Sequence, residues 1–274
     1  MTYKSILVHA EHLAAAEPRL AVAAALARRF DATLVGLGAE SLDWAGVSDP
    51  YGIAAGQWLA VVAEQIQVDL ASAEKAFRRY AKDLNHEWLA LREAPDYAMA
   101  RLSRSADLIV AGGAPLDDTG QYRTAAPADL VLLSGRPVLV APPTGHSLRA
   151  EQIIVAWTDS REARRALTDA MPFLRTADGV TVLEICADDD LENAKHQTGE
   201  VARHLKRHGV KATAKTKVAH NSQVAGAIYG EARAQGADLI VSGAYGHNRF
   251  QELVLGGVTR DLLRNPEQFV LLSH

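Results

Sequence analysis

Short apolar runs rich in β-branched residues recur along the chain, separated by longer stretches with helical periodicity. Two of these runs, SILVHA (5–10) and QIIVAW (152–157), open the two halves of the sequence. After an Ala-rich or amphipathic stretch, each is followed by a second run, DATLVGL (31–37) or GVTVLEI (179–185). Continuous apolar runs of this length are typical of parallel strands buried on both faces, and their alternation with helices predicts βαβ units.

A clearer repeat follows in both halves. SADLIVAGGA (105–114) matches GADLIVSGAY (236–245), and a last apolar run follows each of them, PVLVAP (137–142) and QFVLLSH (268–274). The same order of signals therefore occurs twice. This predicts an α/β chain of two tandem doubly wound domains.

The region between the repeats is rich in Pro, Gly and Ser, which is the composition of a linker. We place one domain at residues 1–146 and the other at residues 147–274. The ADLIV motifs are 131 positions apart, whereas the first runs are 148 apart when Ile6 is aligned with Ile154. The first domain should therefore contain about 17 extra residues, which we assign to residues 42–58.

Helix boundaries are predicted most clearly in the second half. Apolar residues from Ala163 to Leu174 fall on one helical face, and Pro172 should kink or loosen the last turn. A second helix, beginning at Val224, should end at Gly236 in a left-handed cap.

Composition excludes several classes of protein. The chain has 274 residues, of which 48% are hydrophobic and 23% charged, as expected of a folded globular protein. A net charge of −4 has the wrong sign for general nucleic-acid binding. The single cysteine, Cys186, cannot form an internal disulfide, and no apolar window is long enough to span a membrane, so we expect a cytoplasmic protein.

Glycines cluster after the strand of the second ADLIV motif, in the pattern G-x2-G-x9-G-G. Glycine lets the backbone approach an anion closely, the first N–H groups of the helix predicted at 258–264 point toward it, and Thr259 adds a hydroxyl. His247 and Arg249 lie inside the loop and could add positive charge. The loop therefore predicts a phosphate site at Gly243, Gly246, Gly256, Gly257, Val258 and Thr259.

This pattern, after the fourth strand of a duplicated doubly wound domain, resembles the nucleotide loop of the universal stress protein family. The resemblance covers almost the whole chain as two tandem copies. It implies a five-stranded parallel sheet of order 3-2-1-4-5 in each copy. It also implies that ATP or another adenine nucleotide, with or without Mg²⁺, binds between the ends of strands one, two and four as a regulatory ligand in a stress response. No catalytic residues are predicted, and without a Walker lysine any ATP hydrolysis should be slow.

The sequence departs from the family pattern in two places. Gly257 stands where nucleotide-binding members usually have Ser or Thr, so one phosphate-binding hydroxyl is lost. At the end of the first strand the family often has V-D-G-S, and Thr158 occupies the usual Asp position. Asp159 either takes part in nucleotide binding or, with Glu162 in a capping box, is the N-cap of the next helix, and we favour the cap. Ile185 falls where the family places an apolar residue against adenine.

The first half lacks the glycine loop, and Asp117, Asp118 and Asp129 lie near the expected phosphate position. Acidic side chains repel phosphate. We therefore expect this copy to bind no nucleotide and to pack against the second copy as an intramolecular pseudo-dimer, with a further homodimer left open. The alternative is a stress scaffold without nucleotide, acting through protein partners or another small ligand.

The histidines do not form a predicted metal site. His204 and His208 are four residues apart but have no third ligand of suitable spacing, and they fit a solvated helix end. His9 and His12 lie at the end of the first strand, but in the half without the loop. We interpret these four histidines as structural and predict no bound metal.

Overall fold

The computed structural model describes residues 2–12, 16–41, 55–112, 124–143, 147–246, 257–264 and 266–274. The strands are β1 (Ser5–His9), β2 (Thr33–Ala39), β3 (His86–Leu91), β4 (Leu108–Gly112), β5 (Val138–Ala141), β6 (Gln152–Ala156), β7 (Gly179–Cys186), β8 (Ala212–Val218), β9 (Leu239–Gly243) and β10 (Phe269–Ser273). The helices are α1 (Ala16–Phe30), α2 (Ala55–Ala81), α3 (Pro95–Leu102), α4 (Pro127–Leu133), α5 (Arg161–Asp169), α6 (Met171–Leu174), α7 (Leu191–Arg207), α8 (Val224–Gln235) and α9 (Gly257–Arg264).

All ten strands form one sheet of order β3-β2-β1-β4-β5-β10-β9-β6-β7-β8. Each half has the order 3-2-1-4-5 and only parallel strand pairs within it, so the predicted α/β fold with two doubly wound halves is confirmed. The halves join through an antiparallel pair in which Val140 of β5 faces Val270 of β10. The two sheets are therefore continuous.

The register of the sheet corrects the repeat alignment by one residue. Leu108 and Leu239, 131 positions apart, pair with Ile6 and Ile153 respectively. The first strands therefore differ by 147 positions rather than 148, and the extra segment is 16 residues rather than 17. Residues 42–54 of that segment lie outside the described residues, and its last four residues belong to α2.

Helices cover both faces of the sheet and enclose two apolar cores. On one face, α1, α2, α5, α6 and α7 bury side chains such as Leu20, Phe77 and Phe173. On the other, α3, α4, α8 and α9 bury Met99 and Leu262, among others. Because the central strands are covered on both sides, they consist of almost uninterrupted apolar residues. No helix among the described residues has the length and apolar character needed to cross a membrane.

The start of α5 differs from the sequence prediction. Ser160, not Asp159, is the N-cap: its extended backbone precedes the helix and its Oγ accepts a hydrogen bond from the Ala163 N–H at 3.1 Å. Asp159 instead forms an exposed ion pair with Arg164. The predicted cap at Asp159, with Glu162 in a capping box, is therefore wrong because the helix begins one residue later.

The predicted disturbance near Pro172 and the predicted helix end at Gly236 are both present. The helix that contains Pro172 is interrupted at Ala170, where α5 ends and α6 starts. Gly236 ends α8 in the left-handed conformation, with φ of 64°.

Aromatic and polar side chains connect the two halves away from the central strand pair. Tyr3 and Phe30 of the first half form a buried cluster with Phe173 of the second, with ring centroids 5.1 to 5.6 Å apart. Arg29 donates hydrogen bonds of 2.7 Å to the Arg149 carbonyl and to the Thr176 hydroxyl. The expected packing of one copy against the other is therefore present in the structure.

Candidate functional site

The carboxyl ends of β6, β7 and β9 meet at one edge of the second half-sheet. The order of strands reverses between β6 and β9, and open α/β sheets bind ligands in the crevice at such a point. The loop after β6, the first turn of α5 and the loop after β9 lie around this crevice. We call this region the second-half edge.

Two glycines allow these segments to approach closely. A Cβ atom at Gly243 would lie only 2.5 Å from the Ala163 backbone nitrogen, so a larger residue would push β9 away from α5. A Cβ at Gly246 would lie 2.8 Å from Glu162 Oε2 and 3.1 Å from Ser160 Oγ. The first two glycines of the predicted phosphate loop therefore lie against the start of α5.

The loop after β9 is also tied to the last strand and to α9. The Ala244 N–H donates to the Ser273 carbonyl at 2.9 Å, and His274 Nδ1 lies 3.0 Å from the Ala244 carbonyl oxygen. Tyr245 has the unusual φ of 60°, and its N–H donates a long, 3.5 Å hydrogen bond to Thr259 Oγ1. These contacts bring the predicted Thr259 hydroxyl and the first turn of α9 to the loop.

Space remains open at the start of α9. Gly257 is its first residue, and within the part of the chain that the structure describes no atom lies within 4 Å of the position that a Cβ there would take. Val258 is partly buried and packs against the core of that face. Three other candidates, His247, Arg249 and Gly256, lie outside the described residues.

The remaining predicted residues follow β6 and form the end of β7. Thr158 and Asp159 are exposed, and the Thr158 carbonyl accepts a 2.7 Å hydrogen bond from the Ser160 N–H. Ile185 is partly buried and packs against the core on the α8 side of the sheet. Cys186 is buried, as a small hydrophobic residue would be.

Two buried carboxyl groups at this edge are absent from the sequence prediction of the site. Burial raises the pKa of Glu162, but its own backbone N–H and Arg161 outweigh that effect, so the pKa lies below its ordinary value and Glu162 is ionised. Glu184 is 8% exposed, and burial together with Asp190 and Asp159 raises its pKa to about 7. Glu184 lies inside the apolar strand GVTVLEIC, but a glutamate in a strand is usually exposed, so this position carries no signal of its burial.

The corresponding edge of the first half is arranged differently. Arg19, buried on α1, donates from Nε to the His9 carbonyl at 2.8 Å and pairs with Glu11 at 2.8 Å. A Cβ added at Gly112, the last residue of β4, would lie 2.9 Å from Arg19 Nη1. An ion pair thus fills the space above β1 and β4.

Of the three acidic residues predicted near the first-half phosphate position, Asp129 lies in the first turn of α4. Asp117 and Asp118 fall outside the described residues.

Comparison with known proteins agrees with this architecture. A universal stress protein from Archaeoglobus fulgidus DSM 4304 superposes with a TM-score of 0.74 at 14% identity, over 98% of this chain and 95% of that chain. A functionally unknown protein from Pseudomonas aeruginosa PAO1 gives a TM-score of 0.59 at 15% identity, over 99% and 92%. At these identities the likeness shows the fold of the whole chain.

A universal stress protein solved in complex with cAMP also matches, at 19% identity over 53% of this chain and 100% of that chain, with a TM-score of 0.36. A search of the curated proteins finds no match. The model of the universal stress protein family matches residues 150–274, which contain the second-half edge. Residues 150–274 are therefore similar to the universal stress protein family.

Proposed function

We propose that the second half binds ATP or a related adenine nucleotide at the second-half edge, and that the bound nucleotide regulates a role in the stress response. The phosphates would lie against Gly243, Gly246 and the first turn of α9, with the base toward Ile185. The single cysteine, which cannot form an internal disulfide, favours a cytosolic location.

The close packing at Gly246 is the observation that carries this proposal. The glycine lets the loop after β9 lie against Ser160 and Glu162, and Gly246 itself is exposed to solvent. The N-terminus of α9 adjoins the same loop through Thr259. Backbone N–H groups of a glycine loop and of a helix start together form a site suited to anions.

We further propose that the first half binds no nucleotide and serves as the pairing partner of the second. Its crevice contains the Arg19–Glu11 ion pair, which a nucleotide would have to displace. Breaking a buried ion pair by removing one partner is costly. The continuous sheet gives this half a structural role.

One observation favours the alternative of a scaffold without nucleotide. Glu162 is ionised and its Oε2 lies beside Gly246, where it would repel a phosphate placed there. In that case partners or another small ligand would occupy the crevice.

The nucleotide content of the purified full-length protein tests these two functions. We expect mass spectrometry of the denatured protein to recover about one adenine nucleotide per chain, and the emptied protein to bind ATP again. Absence of nucleotide, together with no binding at millimolar ATP, would support the scaffold instead.

Three variants test the site itself. Gly246→Val should abolish ATP binding, because its side chain would collide with Glu162 and Ser160. Gly257→Ser should tighten binding by about five-fold, since there is room for a hydroxyl worth roughly 1 kcal/mol as one hydrogen bond. Gly230→Ala on α8 is the matched control and should leave the affinity unchanged, because a Cβ there would have no described atom within 4 Å. Equal affinity in all three variants would contradict the site.

A further inference from the structure

A group of metal-ligating side chains lies in the first half, away from the proposed nucleotide site. His12, Glu40 and Asp69 each offer one nitrogen or oxygen atom, and these atoms all lie within 4.8 Å of one another. His12 follows β1 and Glu40 follows β2, while Asp69 comes from the middle of α2. We call these three residues the first-half triad.

Two of the three donor atoms are close to the spacing of a coordination shell. His12 Nδ1 and Asp69 Oδ2 are 3.7 Å apart. A tetrahedral ion with ligand distances of about 2.0 to 2.1 Å separates its donor atoms by roughly 3.3 to 3.4 Å. Side-chain movements of less than about 1 Å would therefore bring these two atoms onto a common ion.

A neighbouring side chain orients one of the ligands. Gln65, one turn earlier on α2, donates a 2.8 Å hydrogen bond from Nε2 to Asp69 Oδ1. This contact directs the other oxygen, Oδ2, toward His12. Hydrogen bonds of this kind to a ligating carboxylate are a regular feature of metal sites, since they fix the ligand before the ion arrives.

Burial separates the triad from an ordinary surface cluster. Glu40 is 5% exposed and Asp69 is 6% exposed, whereas the His12 side chain is 23% exposed. The carboxylates of Glu40 and Asp69 thus lie in the protein interior, and the His12 imidazole lies at the boundary with solvent. An ion could enter past His12 and keep a water molecule as a further ligand.

The charge around the triad favours a cation. The buried charged side chains described in the first half are three carboxylates, Glu11, Glu40 and Asp69, and one guanidinium, Arg19. Glu11 directly precedes His12, is 5% exposed and forms its ion pair with Arg19, the one guanidinium of this set. Buried carboxylates are stabilised by nearby positive charge or by a metal ion.

We infer that the first-half triad binds one divalent transition-metal ion. One imidazole nitrogen and two carboxylate oxygens suit Zn²⁺ or Mn²⁺, and three protein ligands leave a position for water or a small acidic ligand. This site would give the half without the glycine loop a ligand of its own. It is independent of nucleotide binding in the second half.

Zinc titration of the metal-free, full-length protein tests this inference. We expect isothermal titration calorimetry to show one Zn²⁺ per chain. His12→Gln and Asp69→Asn should each weaken its affinity by at least about 10-fold, as loss of a ligand does. In both variants, Co²⁺ used as a spectroscopic probe should lose the visible absorption bands of a protein-bound ion.

The exposed pair His204 and His208, whose rings are 4.8 Å apart, provides the control because it is another place where zinc could bind. His204→Gln should leave the zinc affinity unchanged. Circular dichroism checks folding, and His12→Gln decides the result if Asp69→Asn does not fold, since His12 lies at the boundary with solvent. The inference is overturned by absence of stoichiometric zinc binding, by unchanged affinity in His12→Gln, or by loss of binding in His204→Gln.

Discussion

At the scale of single residues, Glu184 determines how stability should depend on pH. Its pKa in the folded protein is about 7, raised from 4.5, chiefly by burial. Between these two values the folded state retains a proton that the unfolded chain releases, so the free energy of unfolding falls as pH rises. The destabilisation is complete above pH 7 and absent well below pH 4.5.

We predict that Glu184→Gln removes this loss of stability. The variant should be more stable than the native protein by about 1 to 2 kcal/mol at pH 8, and no more stable at pH 4, as measured by urea unfolding. Glu192→Gln is the control, because the Glu192 side chain is 87% exposed and its substitution should have little effect at either pH. Equal stability of Glu184→Gln and the native protein at pH 8 would show that the ionised Glu184 carboxylate does not destabilise the folded state.

The glycines of the second-half edge could be predicted from sequence, but the carboxylates there could not. Gly243 and Gly246 stand out because their spacing after an apolar strand is unusual in itself. Glu162 and Glu184 do not, because a glutamate in a helix or strand is usually exposed, and only the packing of α5 and β7 buries these two. Burial by tertiary contacts is the information that the local pattern lacked.

At the scale of elements, the start of α5 separates the roles of two adjacent residues. Ser160→Ala should lower the free energy of unfolding by about 1 kcal/mol, because it removes the hydrogen bond to the Ala163 N–H. Asp159→Ala should cost less, at most about 0.5 kcal/mol, because its pair with Arg164 is exposed to solvent. Urea unfolding of both variants measures the difference. A larger loss of unfolding free energy in Asp159→Ala would indicate that Asp159 is the N-cap.

The strands divide into those that could and could not be predicted. The eight predicted strands all lie between the two edge strands of the sheet. Both of their faces are buried, so their apolar runs are nearly continuous. The sequence pattern did not place β3 and β8, which lie at the two ends of the sheet. In β8 the sequence ATAKTKV exposes Lys215 and Lys217, and such polar edge strands resemble loops in a hydrophobicity pattern.

At the scale of the whole molecule, the two halves share one sheet and common cores. The strand pair β5 and β10 carries the sheet across the boundary, and both apolar cores contain residues from each half. Asp107 and Asp238 of the ADLIV repeat each accept two backbone hydrogen bonds at or before the first strand of their own half. The two halves therefore form equivalent local hydrogen bonds, while each apolar core contains residues of both halves.

Shared cores predict a single cooperative unfolding transition. Phe77 and Phe173 are both fully buried, but Phe77 packs on Gly36 and Trp88 within the first half, whereas Phe173 contacts Tyr3 and Phe30 across the boundary. Phe77→Ala and Phe173→Ala should each cost about 3 to 5 kcal/mol through the cavity they create. If the halves unfold together, calorimetry will show one transition, moved to lower temperature in both variants. If the halves unfold separately, Phe77→Ala will divide the calorimetric transition into two, because the second half will keep its original melting temperature.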